Sequence, residues 1–425
     1  MADEDLLSRI HGLEDLDLAA LLCLISREHC IVSTEPDELD NLVEELRLVA
    51  SQTFSLQSAV VDCTPHTTLD DLAIAIQLRP PTPQPHLQPR SPGPRSPSVS
   101  PLRRRGTESS HFHGYSASTT EKQYPTTTAT TPPQIANVIL AKNLDRAPKD
   151  VQIQCLELLR TRRILTRTSV QTAPKQFLFV AVLETGGAAR LVSHLNDLFY
   201  VSHWHDPEDG FAHLEEQADD RAAGFGGRKG GGETASLDSA SSVVRRSFAD
   251  STTTTAPQPS RSRSTNTFKG GGDQATADDG SSLAPSSTSS VFPSISESDI
   301  ASLALLARQV NMDVEVLRYL MNLISFLRMH RAVAPGGGGV TPQATKHFEQ
   351  LSKCLGALHG LDYVTPSLVG LAVKKVYPHR IRIVTPERER SMQWGSDLAA
   401  VEALLEGMNA EYVIEDVLSM VEAPL

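Results

Sequence analysis

The chain is 425 residues long, with 21% charged and only 5% aromatic side chains. Twelve of its 27 prolines lie between Pro80 and Pro133 and ten of its 26 glycines between Gly224 and Gly280; residues 79–134 and 216–295 therefore cannot bury enough apolar surface to offset their ordering entropy, and read as disordered. The net charge is −12, and residues 1–78 alone carry sixteen acids against three arginines, a surface that repels phosphates and anionic membranes and suits a basic protein partner.

Residues 1–28 carry apolar side chains at three- and four-residue spacing, from Leu6 to Ile25, and predict helix. The longest apolar run there, Leu18 to Ile25, is 8 residues, against about 20 needed to cross a bilayer, and the acidic start lacks the basic flank of a secretory leader. His29 to Val32 is a short strand, Ser33 to Glu38 a loop, Leu39 to Phe54 a helix and Ala59 to Cys63 a second strand, a βαβ unit in outline. Order is lost over 79–134, where Ser91, Ser96 and Ser100 each precede a proline beside an arginine-rich run. Phosphorylation there would cancel most of the local positive charge, which makes these serines candidate regulatory sites. Ala136 to Leu140 and Phe177 to Leu183 read as buried strands, with a helix opened by Pro148 between them. Ser202 to Pro207, containing His203-Trp204-His205, reads as a turn. Residues 296–425 predict six helices, with Thr365-Pro366 as a clear start signal. The five cysteines are scattered without a CxxC pair, which excludes a disulfide framework and a structural zinc site and suits a reducing compartment, cytoplasm or nucleus.

Ala136 to Pro148, ANVILAKNLDRAP, resembles the Walker B segment of the MoxR and magnesium-chelatase branch of the AAA+ ATPases. The resemblance continues through Val151-Gln152 and Leu156 to Leu159, and through the sensor-1-like strand Phe177 to Val182. Gly339-Val340-Thr341-Pro342-Gln343 and Gly360 to Pro366 resemble the lid of that family, and His29 to Leu46 matches its Walker A strand, loop and helix in length. Everything but the two low-complexity tracts is covered. The resemblance implies an α/β parallel-sheet αβα core in two parts (1–78 and 135–215), followed by an all-α lid over 296–425. It also implies a ring that couples ATP hydrolysis to partner remodelling, in magnesium chelatase to metal insertion.

The chemistry departs from that family. A Walker A loop holds phosphates with glycine N–H groups, a lysine and a Mg²⁺-binding hydroxyl. Here the glycine positions hold Thr34, Asp37 and Leu39, the lysine position Asp40 and the hydroxyl position Asn41. A carboxylate in place of an ammonium about 4 Å from a phosphate reverses a term of about 4 kcal/mol at an effective dielectric near 20. In Walker B, Lys142 stands at the Mg²⁺ ligand and Asn143 at the carboxylate that activates water, and neither can do that work. The arginine-finger position holds Leu198 and the sensor-2 position Gln343.

These departures leave two readings. The first is a non-catalytic assembly or adaptor subunit that expects no nucleotide, Mg²⁺ or other metal and works through a protein partner or an oligomeric AAA+-like assembly. The second is an active chelatase-type ATPase, with ATP and Mg²⁺ held by a divergent loop or completed by a neighbouring subunit. One reading of Lys142 pairs it with Asp40 or another carboxylate across the vacated site, and the apolar positions from Val314 to Ile324 exceed one packing face, which suits an oligomer or partner contact.

Overall fold

The structure is a computed structural model that describes residues 4–78, 134–165, 170–225 and 293–424. The regulatory serines Ser91, Ser96 and Ser100 lie outside the described residues. The chain divides into two units, Met1–Ala218 with Val291–Leu425, and Asp219–Ser290. The first unit holds the sheet and the helices of the lid.

The N-terminal periodicity forms two helices, α1 (Glu4–His11) and α2 (Asp15–Ser26), because Gly12 interrupts the run. α2 ends at Arg27 in the left-handed conformation, with φ 58°, and feeds β1 (His29–Thr34). Then come α3 (Leu39–Leu48), β2 (Ser58–Asp62), α4 (Leu69–Ala75), β3 (Val138–Lys142) and α5 (Lys149–Thr161). The core closes with β4 (Leu178–Glu184), α6 (Ser193–Leu198), β5 (Phe199–Trp204) and α7 (Ala212–Phe225). The lid contains α8 (Glu297–Gln309), α9 (Val314–Met329), α10 (Pro342–Leu358), α11 (Pro366–Val376), α12 (Leu398–Leu405) and α13 (Ala410–Met420).

The five strands form one all-parallel sheet in the order β2-β3-β4-β1-β5. β1 and β2 are thus joined by α3 without being neighbours, because β3 and β4 pair between them. The expected αβα sheet core and helical lid are both present.

Three expectations need correction. Ser202-His203-Trp204 is the end of edge strand β5, not a turn: His203 registers with Val32, Trp204 with Ser33, and the His205 N–H continues the ladder to Ser33 O at 2.8 Å. An edge strand has one free side, which accommodates polar residues that a central strand could not. Helix continues past 215, since α7 runs to Phe225. Order also returns before 296, because Ile295 is buried and its N–H donates to Thr53 O at 2.8 Å.

Strand alternation divides the apolar residues between two cores. Val138, Leu140, Val180 and Val182 face α2, α3 and the lid, while Ile139, Ala141, Phe179 and Leu183 face α4, α5 and α6. The first cluster continues without a break into Leu320, Phe348, Val373 and Val417 of the lid. Core and lid therefore share one hydrophobic interior.

A polar junction lies within that contact. Arg380, just past α11, is 2% exposed and donates to the carbonyls of Val376, Asp197 and Phe199, and to His347 Nδ1 at 2.7 Å. The guanidinium has no lone pair to offer, so His347 Nδ1 accepts and its proton sits on Nε2. That N–H faces Gln343 Nε2 at 2.8 Å, so the contact is a hydrogen bond only with the Gln343 amide turned to present its oxygen. Thr341, the N-cap of α10, donates its hydroxyl to Asp197 Oδ1 at 2.6 Å. Asn196 Nδ2 donates to His379 O at 2.6 Å. Gly339 is required here: at φ +99°, an added Cβ would lie 1.8 Å from Arg380 O.

Leaving a buried acceptor unsatisfied costs about 1–3 kcal/mol, and Arg380 serves three carbonyls and one ring nitrogen. Arg380→Leu is therefore expected to lower unfolding free energy by at least about 3 kcal/mol in urea titration, whereas Arg318→Leu on the exposed face of α9 changes it by less than about 0.5 kcal/mol.

Burial also holds four histidines neutral. It pushes His29 and His347 down to about 3 and His203 down to about 4, aided by Arg162, Arg380 and Lys375 respectively, and drives His379 well below the usual range. Below pH 6.5 the unfolded chain protonates these rings and the folded chain does not, so stability falls on acidification. Each contributes about 1.4 kcal/mol per pH unit across its window. Glu28, raised to about 7 by burial against the pull of Arg162 and Arg380, offsets one of them between pH 7 and 4.5. Urea midpoints are expected to fall from pH 6.5 to 5; a flat profile over that range would contradict neutral burial.

Candidate functional site

In open parallel sheets, ligands bind beyond the carboxyl ends of the strands. At that rim this chain places its own charged and hydroxyl side chains against one another.

β1 ends at Thr34, fully buried, whose hydroxyl donates to His205 O at 3.0 Å. The following turn, Pro36–Glu38, is a single 3₁₀ turn rather than an open glycine loop. Asp37 is exposed on it. Glu38 accepts from Asn41 Nδ2 at 2.6 Å, and Leu39 points into the core. The α3 N-terminus offers the partial positive charge that would attract a phosphate, but Glu35, Asp37, Glu38 and Asp40 surround it with carboxylates. None of these carboxylates caps the helix, but together they set a negative field at its end.

β3 ends at Lys142, whose ammonium pairs with Asp40 across the two elements. The lysine side chain is 17% exposed and the aspartate 85%, so the pair sits at the surface and contributes about 0–1 kcal/mol. Its consequence is electrostatic. A cation of the chain occupies the place where the resemblance puts a Mg²⁺ ligand, and a carboxylate occupies the place of the phosphate-binding lysine. Asn143 adopts the left-handed conformation, φ 55° and ψ 38°, which asparagine tolerates, and its N–H donates to Val182 O at 2.8 Å.

β4 ends at Glu184, paired with Arg146. Arg190 lies 4.0 Å from Glu184 and donates to Asp145 Oδ2 from Nε at 2.7 Å and from Nη2 at 2.6 Å. The Asp145 side chain is fully buried, and its Oδ1 has no hydrogen-bond partner. The Thr185 hydroxyl donates to Thr34 O at 3.1 Å. Trp204 Nε1 donates to Thr185 Oγ1 at 3.3 Å.

The remaining predicted positions lie in the core–lid junction. Leu198 ends α6 and packs half-buried on the second core, next to Asp197 of the Arg380 network. Gln343 serves that same network through His347. Asp40 and Lys142 are therefore brought together, whereas Leu198 and Gln343 belong to a separate cluster. Asp145, Arg190, Arg380 and His347 are not singled out by sequence reasoning. Only Asp145 carries a signal, as the first residue of the Asp-Arg-Ala-Pro motif.

The His203-Trp204-His205 segment has no metal-ligand geometry. Lys375 Nζ donates to His203 Nδ1 at 3.0 Å, and His205 Nε2 faces Gly210 O at 3.0 Å. Among the described residues no cluster of three or more His, Cys, Asp or Glu could hold a metal ion.

No family model matches the chain. The maintenance of telomere capping protein 2 of Kluyveromyces lactis is 30% identical over 98 residues, 23% of this chain and 36% of its own length. The protein of the same name from Lachancea thermotolerans is 28% identical over 103 residues, 24% of this chain and 36% of its own. The chain thus spans little more than a third of these relatives. A candidate ATPase from Cytophaga hutchinsonii superimposes with a TM-score of 0.54 at 13% identity, covering 99% of this chain and 94% of that one. A full-length MCM homologue from Methanopyrus kandleri gives a TM-score of only 0.39 at 11% identity, covering 89% and 60%. The likeness to the candidate ATPase concerns the fold, and this chain has an AAA+ ATPase fold.

The two rim arginines are expected to differ sharply. Arg190→Ala leaves the Asp145 carboxylate buried without its cation and costs about 3 kcal/mol or more. Arg146→Ala breaks a half-exposed pair and costs under about 1 kcal/mol. Urea titration of the two variants checks this, and equal losses would contradict the burial argument.

Proposed function

We propose that this chain is a non-hydrolysing AAA+-type protein that acts as an assembly or adaptor subunit through protein contacts. The carrying observation is the Asp40–Lys142 pair: the chain's own carboxylate and ammonium stand where triphosphate and Mg²⁺ chemistry would need the opposite charges. The acidic turn before α3 and the hydroxyl network at Thr34 and Thr185 support the same reading. Within the fold we further assign the chain to the MoxR and magnesium-chelatase-like branch, on the Asp145-Arg146-Ala147-Pro148 and Gly360-to-Pro366 segments. The stretch shared with two telomere-capping proteins supports chromosome-end maintenance as the first process in which to seek the partner.

A second reading, an active chelatase-type ATPase, draws on the likeness to the Cytophaga hutchinsonii structure. It would require a neighbouring subunit to supply the lysine, the Mg²⁺ ligand and the water-activating carboxylate.

Calorimetric titration of ATP and ADP with Mg²⁺ into the full chain separates the two, combined with phosphate release. The adaptor reading predicts no saturable heat up to millimolar nucleotide and no release above background. Micromolar binding with Mg²⁺-dependent turnover would overturn it.

A further inference from the structure

Two grooves, of about 370 and 400 Å³, run into one another over the carboxyl end of α2 and along α8, sharing Ile25, Arg27 and Ala304. Their floor is small and apolar, made by Ile25, Ile300, Ala301, Ala304 and Ala307. Their walls are cationic: Arg27, Lys175, Arg308, Lys346 and Lys353 line them. Two of these cations are matched inside the groove, Lys175 by Glu297 at 3.1 Å and Lys353 by Glu349 at 2.7 Å. Arg27, Arg308 and Lys346 have no carboxylate partner among the described residues. An excess of three positive charges on a chain whose net charge is −12 is not a generic solvated face.

The backbone supplies an independent sign. Arg27 and Arg162 both close their helices in the left-handed conformation, at φ 58° and 55°, where glycine is the usual residue. Arg162 Nη2 donates to Arg27 O at 3.1 Å, so the two arginines adjoin. A side chain in that conformation costs roughly 1–2 kcal/mol, and a cation at a helix carboxyl end returns about 0.3–1 kcal/mol. Arg162 is held there by its own bond to Arg27 O, whereas the Arg27 side chain lines the groove without a carboxylate partner among the described residues, so an anion in the groove would offset its conformational cost.

We propose that this groove docks an acidic, amphipathic peptide segment of a partner protein. Its apolar side chains lie on the Ala301–Ala304–Ala307 shelf, and its carboxylates meet Arg27, Arg308 and Lys346. A peptide fits better than a nucleic acid for two reasons. Glu297 and Glu349 interrupt the cationic track that a phosphate backbone follows, and no aromatic side chain lines the groove to stack a base. The proposal goes beyond the adaptor reading by fixing the partner's chemistry, and it does not depend on the nucleotide site.

The test is fluorescence anisotropy on the full chain at low salt, with a fluorescein-labelled peptide of Glu-Leu repeats. The comparison probes are a Lys-Leu peptide and an oligo-dT strand. Saturable binding of the Glu-Leu peptide is expected, weakened tenfold or more by Arg308→Glu with Lys346→Glu and unchanged by Arg318→Glu on α9. The neutral pair Arg308→Gln with Lys346→Gln gives an intermediate loss and serves if charge reversal impairs folding. No saturable binding, an unchanged midpoint in both double variants, or tighter binding of oligo-dT would overturn the proposal. Because no nucleotide enters the assay, that failure would leave the non-hydrolysing reading intact.

Discussion

Arg380 fixes the relation of the lid to the sheet. Its guanidinium is withdrawn from water at the point where α6, β5, α10 and the end of α11 meet; its two terminal nitrogens are hydrogen-bonded, while Nε makes no hydrogen bond and lies 3.5 Å from Asp197 Oδ1. It caps the last carbonyls of α6, forces His347 into one tautomer and, through that ring, orients Gln343. Gly339 permits the backbone approach that brings the lid loop against it. With the hydrophobic interior running from Val180 to Val373, this junction holds core and lid together.

That arrangement gives meaning to the rim chemistry. A nucleotide site in this fold must present unpaired donors and a cation to an incoming anion. Here the donors and cations are already engaged: Lys142 with Asp40, Arg146 with Glu184, Arg190 with Asp145, and the Thr34 and Thr185 hydroxyls with backbone oxygens. Each exposed pair is worth little to stability. On the proposed non-hydrolysing reading they act together, since a phosphate would have to displace these contacts and then face Glu35, Asp37 and Glu38. The cationic groove over α2 and α8 is a separate surface, and the peptide docking proposed there requires none of these rim contacts to break.

Much of the fold is legible in the sequence. Central strands such as Val138–Lys142 and Leu178–Glu184 announce themselves as continuous apolar runs because both of their faces are buried. Thr365-Pro366 marks the start of α11 because its cap is local chemistry. The Asp40–Lys142 contact follows from two motif positions that converge in the fold. The end of β5 reads wrongly as a turn because an edge strand need not be apolar, and the end of α7 reads as linker because it runs into the Gly- and Ser-rich tract that follows. Arg380 leaves no trace, since 183 residues separate it from the carbonyl of Asp197 and only the tertiary fold brings them together. The left-handed arginines at 27 and 162 are equally silent, because a cap's conformation is not encoded in residue type alone.

Amide hydrogen exchange across residues 34–41 and around Lys142, with and without millimolar Mg²⁺-ATP, tests the central claim most directly. A site filled by its own side chains predicts unchanged exchange at Asp37 to Asn41 and at Lys142. Protection of that turn and of the first turn of α3 on adding nucleotide would show that phosphate displaces the internal pair, and would contradict the account.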